Sequence, residues 1–240
     1  MSTVSVVTGA NSGIGRAIAI HLAGRGHEVY GTVRDPARAG KLQSMAADAG
    51  VDVQLVTMDV ADDESVRLGL AIVIDKAGRV DVLVNNAGVG SNAVVEEASS
   101  SEILEVTNVN VCGAVRCLQA VLPGMRARRS GAIVNVTSVA GVLGHGSSIA
   151  YAASKAALNA MTKSLARAFA PSIRVNAVAP GPVLTRWLAD HMDQVQQQLT
   201  LTPMKRAATP DDVADVVAFL ATGSSLITGQ IVVLDGGRTM

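Results

Sequence analysis

The chain has 240 residues, of which 49% are hydrophobic, and its 20 basic and 20 acidic residues give a formal net charge of +0. This length can bury one substantial core, and the lack of a basic stripe argues against nucleic acid or an anionic membrane as a partner. An apolar strand pattern begins at Val4 with no basic stretch and cleavage site before it, and no apolar run approaches the roughly 20 residues that span a bilayer. We therefore expect a cytoplasmic protein.

Seven short β-branched runs alternate with longer, Ala-rich helical patterns. The predicted strands cover residues 4–8, 28–33, 53–58, 80–85, 132–137, 173–177 and 231–234. Several are almost entirely apolar, which is typical of parallel strands covered on both faces. This alternation predicts an α/β fold with one doubly wound parallel sheet. No linker, charge block or repeat divides the chain, so we expect a single domain over residues 1–240.

Other features of the sequence are less specific. Cys112 and Cys117 lie in an apolar, helix-like stretch and are expected to be core thiols, and no spacing of His, Cys and carboxylate residues predicts a metal site. His145, between two glycines, either lines a substrate pocket or is simply a flexible loop residue. The polar segment 184–205 is a candidate substrate flap, in which Trp187 and Met192 form an apolar lid or pack in the ordinary way.

The segment between the first predicted strand and the first predicted helix is rich in glycine. It reads Thr8-Gly9-Ala10-Asn11-Ser12-Gly13-Ile14-Gly15. Glycines allow positive φ angles and let backbone N–H groups approach a pyrophosphate, which the helix N-terminus also favours. The spacing G-x-x-x-G-x-G is not the G-x-G-x-x-G fingerprint, so it is weak evidence by itself. Its position after the first strand favours dinucleotide binding.

Two charged residues, Arg34 and Asp35, end the second predicted strand. Asp35 has about the spacing of an acid that binds the ribose 2′-hydroxyl of NAD. Because Pro36 follows it, we prefer to interpret Asp35 as the N-cap of the next helix. Arg34 then lies at the strand tip, where its guanidinium can pair with a 2′-phosphate. A solvated surface arginine is the alternative.

Further motifs follow in chain order: Asp59-Val60, Asn85-Asn86-Ala87-Gly88, Asn110, Ser138, Tyr151-Ala152-Ala153-Ser154-Lys155, Pro180-Gly181, Thr228-Gly229-Gln230 and Asp235-Gly236-Gly237. Each is modest alone, but as an ordered set they make the chain resemble the short-chain dehydrogenase/reductase family along nearly its whole length. The resemblance implies a Rossmann fold of about seven strands. It also implies a homotetramer whose contacts come from the long helices and the C-terminal segment.

The resemblance also implies a cofactor site. The predicted cofactor contacts are Gly9, Asn11, Ser12, Gly13, Ile14, Gly15, Arg34, Asp59, Val60, Asn86, Ala87, Gly88, Tyr151, Lys155, Pro180, Gly181, Val183 and Thr185. Val33 stands where NAD-preferring relatives carry an acid, and Arg34 matches a basic position of NADP-preferring ones. Relatives often carry another basic residue where Ser12 stands. We therefore expect NADP(H) to be preferred, with use of NAD(H) still possible.

The same comparison points to four catalytic residues: Asn110, Ser138, Tyr151 and Lys155. Carbonyl reduction needs a proton for the oxygen, and an unperturbed tyrosine, with a pKa near about 10, is a poor base at neutral pH. Lys155 lies one helical turn after Tyr151, where its charge lowers that pKa, and it can also bind the nicotinamide ribose. Ser138 would stabilise negative charge on the substrate oxygen. The resemblance gives Asn110, in a helix beginning near Ser101, the role of anchoring a water in a proton relay.

Alternative interpretations of the residues and of the function remain open. Taken alone, Tyr151 and Lys155 also fit an exposed pair on an amphipathic helix. Ser138 also fits a turn residue, and Asn110 a solvated asparagine. A non-catalytic dinucleotide sensor, an NAD-dependent alcohol dehydrogenase, or an epimerase or dehydratase on the same scaffold are the competing functions. Among relatives the chain most resembles the β-ketoacyl-carrier-protein reductases, for which Arg128 and Arg129 are candidate docking residues near the active-site entrance. The chain is shorter at 170–172, where those relatives often carry another arginine, which argues against a carrier-protein substrate.

Overall fold

The computed structural model describes residues 2–185, 199–200 and 202–240. Within these residues, seven strands form one parallel sheet in the order β3-β2-β1-β4-β5-β6-β7. The strands are β1 (Val4–Val7), β2 (Glu28–Val33), β3 (Gln54–Thr57), β4 (Val82–Asn85), β5 (Gly131–Val136), β6 (Ile173–Pro180) and β7 (Ile231–Leu234). All seven predicted strands are confirmed. The largest difference is in β6, which continues to Pro180 because its second half pairs with β7.

Helices connect the strands on both faces of the sheet. They are α1 (Gly13–Gly24), α2 (Gly40–Asp48), α3 (Asp63–Ala77), α4 (Ser100–Thr107), α5 (Gly113–Arg128), α6 (Ala140–Leu143), α7 (Ile149–Phe169) and α8 (Pro210–Ala218). A 3₁₀ turn covers Pro36–Arg38, and π-helical turns cover Asn108–Cys112 and Phe219–Gly223. The described residues contain no helix with the length and apolar character needed to traverse a bilayer.

Alternate residues of the strands pack into two separate apolar cores, one on each face of the sheet. On one face, Val7 and its sheet neighbours pack with Leu22 of α1 and Val213 of α8. On the other face, Val6 and its neighbours pack with residues of α3 and α5, such as Leu70. Side chains of a strand alternate between the faces of a sheet, so a strand buried on both sides is apolar throughout. The predicted doubly wound parallel sheet is therefore confirmed.

One expectation about the cysteines was wrong. Cys117 is fully buried in α5, as expected, but Cys112 is exposed at the end of the π-helical turn. Residues five apart on a helix lie about 140° apart around its axis, so two such residues seldom face the same core. Of the candidate flap, only residues 184–185, 199–200 and 202–205 are described, and Trp187 and Met192 lie outside the described residues.

Candidate active site

The loop after β1 holds glycines where a side chain would be strained or blocked. Gly9 and Gly13 have φ angles of 67° and 51°, in the left-handed region that favours glycine. A Cβ on Gly15 would lie 2.3 Å from the Gly9 carbonyl oxygen and 2.3 Å from Asn86 Nδ2. These glycines allow the chain to turn tightly from β1 into α1.

The start of α1 has the features of an anion-binding site. Ser12 is the N-cap residue, but its side chain makes no capping hydrogen bond and the first turn contains no acidic residue. The N–H groups of this turn therefore lack a side-chain acceptor, and the helix dipole favours a negative charge beside them. The Asn11 side-chain oxygen is buried with no hydrogen-bond partner among the described residues. The N–H groups of the turn fit the diphosphate of a dinucleotide, whereas the Asn11 oxygen is an acceptor that suits a hydroxyl donor.

Thr8 joins the glycine loop to the loop that follows β4. Its Oγ1 accepts hydrogen bonds of 2.9 Å from the backbone N–H groups of Asn86 and Ala87. Asn86 Nδ2 in turn donates to the carbonyl oxygens of Thr8 and Gly9, at 2.8 and 3.3 Å. Hydrogen bonds thus join the two loops at the carboxyl edge of the sheet, where doubly wound folds bind ligands.

Arg34 and Asp35, directly after β2, have different environments. The Asp35 carboxylate accepts a hydrogen bond of 3.0 Å from the Ala37 N–H and caps the 3₁₀ turn that begins at Pro36. Asp35 is therefore the N-cap that the sequence predicts. Arg34 is exposed at the end of the strand, while Val33 is buried. The strand end thus presents a guanidinium, while the neighbouring carboxylate is used in capping.

Asp59 and Val60 follow β3 at the same edge, with side chains already engaged in the protein. Asp59 Oδ1 accepts a hydrogen bond of 3.0 Å from the Ala61 N–H. The Val60 side chain is buried against Gly113, where a Cβ would approach it to 2.9 Å. We therefore expect Val60 to contact an adenine ring mainly through its backbone.

A cavity of about 720 Å³ opens at the carboxyl edge and brings most of the predicted site together. The predicted catalytic residues on its wall are Ser138, Tyr151 and Lys155. The further predicted cofactor residues on its wall are Ile14, Asn86, Gly88, Pro180, Gly181, Val183 and Thr185. Nine others lie outside this cavity, on the loops that follow β1 to β4 or in the first turn of α1: Gly9, Asn11, Ser12, Gly13, Gly15, Arg34, Asp59, Val60 and Ala87.

Tyr151, in the first turn of α7, and Ser138, just after β5, are the two predicted catalytic residues with hydroxyl groups on the cavity wall. Burial raises the pKa of the Tyr151 phenol, and a side-chain hydrogen bond with Ser138 acts in the opposite direction. Lys155 was expected to lower this pKa, but in the structure the lowering comes from Ser138. The Lys155 ammonium itself donates a hydrogen bond of 2.9 Å to the Val136 carbonyl oxygen.

Lys155 is almost fully buried on the same face of α7 as Tyr151. Its Nζ lies 5.7 Å from the centroid of the Tyr151 ring. Burial lowers the pKa of Lys155 to about 8, since the charged form is poorly solvated in the interior. Gly88 borders this group, because a Cβ there would lie 3.4 Å from Lys155 Nζ and 3.2 Å from Asn110 Oδ1.

Asn110 lies behind the cavity wall in the π-helical turn between α4 and α5, where the sequence predicts a continuous helix. Its Oδ1 accepts a hydrogen bond of 2.8 Å from the Val89 N–H, and its Nδ2 donates to the Val89 carbonyl oxygen and to Ser154 Oγ, both at 2.9 Å. Ser154 Oγ donates to the Tyr151 carbonyl oxygen at 2.7 Å. The π-turn is typical of functional sites in helices.

The structure also shows cavity residues that the sequence analysis did not assign. They are Val89, Gly90, Asn92, Val136, Thr137, Val139, Ala140, Leu143, Gly146, Ser147, Pro182 and Arg238. His145 lines the cavity too, which favours the pocket interpretation of this loop residue. Loop residues of this kind carry no periodic signal, so only the fold brings them together. The described residues contain no group of three His, Cys, Asp or Glu side chains suited to a metal ion.

The two candidate docking arginines are not at the entrance of this cavity within one chain. Arg128 and Arg129 end α5 just before β5 begins, at the amino edge of the sheet. Arg128 donates a hydrogen bond of 2.6 Å to the Val80 carbonyl oxygen and lies 3.8 Å from the Asp81 carboxylate. Within one chain, α5 runs away from the carboxyl edge, where the cavity opens, and docking by these two arginines stays a prediction.

Comparisons with known proteins identify the family of the chain. Residues 9–239 match a family model described as enoyl-(acyl carrier protein) reductase. The chain is 38% identical to the 3-oxoacyl-[acyl-carrier-protein] reductase FabG of Staphylococcus epidermidis, over 100% of both proteins. A solved 3-oxoacyl-[acyl-carrier protein] reductase from Brucella melitensis is 36% identical, with a TM-score of 0.92 over 99% of this chain and 91% of that one.

A solved levodione reductase is similar as well, with 29% identity and a TM-score of 0.93 over 99% of this chain and 97% of that one. The relatives thus share the fold but carry names that refer to different substrates. The match to the family model and to full-length relatives agrees with the seven-stranded parallel sheet. The chain belongs to the short-chain dehydrogenase/reductase family.

Proposed function

We propose that this protein is an NADP(H)-dependent oxidoreductase that interconverts a carbonyl compound and an alcohol. The observation that carries the proposal is a single cavity with Ser138, Tyr151 and Lys155 on its wall beside Ile14 and Thr185, two predicted cofactor contacts. When bound, the reduced nicotinamide supplies the hydride that adds to the carbonyl carbon. The remaining steps belong to side chains of this chain.

Tyr151 donates the proton that the carbonyl oxygen needs as it becomes an alkoxide. Ser138 orients that oxygen by a hydrogen bond from its hydroxyl. Its hydrogen bond with Tyr151 opposes the rise in the phenol pKa that burial causes. In the reverse direction the same tyrosine accepts the alcohol proton as general base.

Lys155 keeps the site positively charged and returns the proton to Tyr151. With a pKa of about 8, its ammonium is mostly protonated near neutral pH and gives up a proton more readily than an ordinary lysine. Asn110 holds the wall behind it, because its side-chain oxygen and nitrogen both bond to protein groups. This pattern supports positioning, rather than binding of a relay water, as the role of the Asn110 side chain.

The residues after β2 support a preference for NADP(H) over NAD(H). Asp35 is engaged as an N-cap, whereas the exposed Arg34 is suited to bind a 2′-phosphate through two N–H groups. The buried Val33 presents no carboxylate to bind a ribose 2′-hydroxyl. We further propose that the enzyme acts as a homotetramer, an arrangement that the family resemblance implies.

A 3-oxoacyl thioester is the second candidate substrate class. It is favoured by the names of relatives such as the Staphylococcus epidermidis protein, which is 38% identical. Binding of a carrier protein would require a basic surface near the cavity mouth, and Arg128 lies at the opposite edge of the sheet within one chain. Turnover of a 3-oxoacyl thioester of N-acetylcysteamine should be compared with turnover of the same acyl group on acyl carrier protein. The comparison distinguishes recognition of the acyl chain from recognition of the carrier protein.

Steady-state oxidation of NADPH tests the function against a panel of ketones, 3-oxoesters and 3-oxoacyl thioesters. We expect turnover by the wild type and a loss of about 10²–10⁴-fold in Tyr151→Phe, without loss of NADPH binding. Tight NADPH binding with no turnover of any compound would instead support a dinucleotide sensor. Conversion without net consumption of NADPH would indicate epimerisation or dehydration.

A further inference from the structure

Arg116 of α5 connects the loop after β3 to the π-helical turn at Asn108–Cys112. This loop contains Asp59 and Val60, which are predicted to contact the adenine of the cofactor. We infer that Arg116 is a positioning residue for the adenosine half of the dinucleotide, because it holds the loop in the conformation that binds adenine. The inference rests on the proposed function and adds to it a residue that takes no part in hydride or proton transfer.

The Arg116 guanidinium bonds to three separate segments of the protein. Its Nη1 donates to the Val60 carbonyl oxygen at 3.1 Å and to the Asn108 carbonyl oxygen at 3.3 Å. Its Nη2 donates to Asn108 Oδ1 at 2.8 Å, and its Nε donates to the Asp63 carboxylate in the first turn of α3. These bonds use most of the N–H donors of a guanidinium. Arg116 is therefore suited to hold protein groups in place, and not to bind a ligand directly.

Two further contacts attach the loop to the same part of the protein. Asn108 Nδ2 donates to the carbonyl oxygen of Ala61, the residue after Val60, at 3.2 Å. The Val60 side chain packs so closely on Gly113 that a Cβ there would lie 2.9 Å from Val60 Cβ. Val60 is thus held at its side chain by Gly113 and at its carbonyl oxygen by Arg116, and the two contacts together fix the orientation of its backbone.

The orientation of this backbone matters because the buried Val60 side chain leaves mainly backbone atoms for contact with adenine. The Arg116 side chain is only 19% exposed, so water is a poor substitute for its donors at the Val60 carbonyl oxygen. A carbonyl oxygen that loses its donor favours a backbone that turns towards water. Loss of Arg116 should therefore displace the Val60 peptide group and weaken the binding of every ligand that contains the adenine.

Attraction between the Arg116 charge and the cofactor phosphates is the competing explanation. The two explanations make different predictions for a lysine at this position. A lysine keeps the charge but lacks the planar fork that reaches Val60, Asn108 and Asp63 together. Positioning predicts that Arg116→Lys loses nearly as much affinity as Arg116→Gln, whereas attraction predicts that Arg116→Lys keeps its affinity. Attraction also predicts a larger loss for ligands with a 2′-phosphate than for NADH.

Calorimetry with NADPH, NADH and adenosine 2′,5′-bisphosphate tests the inference, because all three ligands contain adenine. We expect Arg116→Gln and Arg116→Lys to weaken the binding of each ligand by about 10-fold, and Asn108→Ala by about 3-fold or more. Asp63→Asn keeps the bonds to Val60 and Asn108, so it should change the affinity by less than about 2-fold. Arg126→Gln, exposed on the same helix, controls for a general charge effect. With saturating NADPH, kcat should stay within about 2-fold of the wild type.

Three results would overturn the inference. They are unchanged affinities in folded variants, a loss that is confined to 2′-phosphate ligands or restored in Arg116→Lys, and a lower kcat with unchanged binding, which would assign Arg116 to the turn that carries Asn110. If Arg116→Gln does not fold, Asn108→Ala decides by the same criteria. If the wild type binds NADPH but turns over no compound, the proposed reaction fails, and the binding data still decide about Arg116. A wild type that binds none of the three ligands would refute both.

Discussion

The side-chain amide of Asn110 donates a hydrogen bond of 2.9 Å to Ser154 Oγ, and both residues are almost completely buried. Ser154 Oγ in turn donates a hydrogen bond of 2.7 Å to the Tyr151 carbonyl oxygen. The π-helical turn that carries Asn110 is thereby tied to the helix that carries Tyr151 and Lys155. We therefore expect Ser154, which lies between two catalytic candidates, to act as a positioning residue.

We predict that Ser154→Ala lowers kcat/KM by about 10-fold, because one buried N–H of Asn110 loses its acceptor at a cost of about 1–3 kcal/mol. The loss should appear in kcat, with a shifted pH profile, while the KM for NADPH changes little. Ser164→Ala, an exposed position on α7, is the matched control. If the pH profile of Ser154→Ala is unchanged and only its stability falls, Ser154 is structural and not a positioning residue.

Lys155 should make stability depend on pH. Burial lowers the pKa of this group from 10.5 to about 8 in the folded protein, so between these values the unfolded chain binds more protons than the folded one. The free energy of unfolding should therefore rise as the pH rises through this window. Below the window, the destabilisation caused by the buried charge of Lys155 is fully present. Urea unfolding at several pH values measures this dependence.

Substitution of Lys155 should remove the destabilisation caused by its buried charge, and it should also remove the activity. At pH 7, Lys155→Met should raise the free energy of unfolding by roughly 1–3 kcal/mol, because a buried charge disappears even though the Val136 carbonyl oxygen loses a donor. The difference from the wild type should shrink above pH 10. Lys163→Met, exposed on the same helix, should show neither effect. A variant that is equally destabilised at both pH values would contradict this account of Lys155.

Two glycines of α1 provide a matched pair. Gly15→Ala would place a Cβ 2.3 Å from the Gly9 carbonyl oxygen, so we expect loss of NADPH binding and lower stability. Gly24→Ala meets no atom within 4 Å and should be neutral or stabilise the helix by about 0.5–1 kcal/mol. Thermal unfolding with and without NADPH measures both effects. Retained NADPH binding in Gly15→Ala would show that the loop is more adaptable than its geometry implies.

Arg34 should determine the choice between the two nicotinamide cofactors. In Arg34→Ala, the ratio of kcat/KM for NADPH to that for NADH should fall by about 10- to 100-fold, since a charge-assisted pair with the 2′-phosphate is lost. The value for NADH itself should change little. Arg38→Ala, exposed at the end of the 3₁₀ turn, is the control. A ratio that falls equally in both variants would assign the effect to the general field of the surface.

Much of this protein could be predicted from local patterns. The alternation of apolar runs and helical patterns determined the parallel sheet, and Asp35 followed by Pro36 determined the N-cap, because both depend on neighbours in the chain. The order of the glycine loop, Ser138, Tyr151 and Lys155 likewise indicated the family. Such features are short-range, so the amino-acid sequence carries them directly.

Other features were decided only by the tertiary structure. Arg238 near the end of the chain lines the same cavity as Ile14 near its start, because the order of the strands brings β7 beside β6 at the carboxyl edge. The π-turn at Asn110 interrupts the predicted helix, and α5 carries Arg128 to the far edge of the sheet. Contacts between distant segments, and the burial that lowers the pKa of Lys155, arise from packing, which no local pattern of residues encodes.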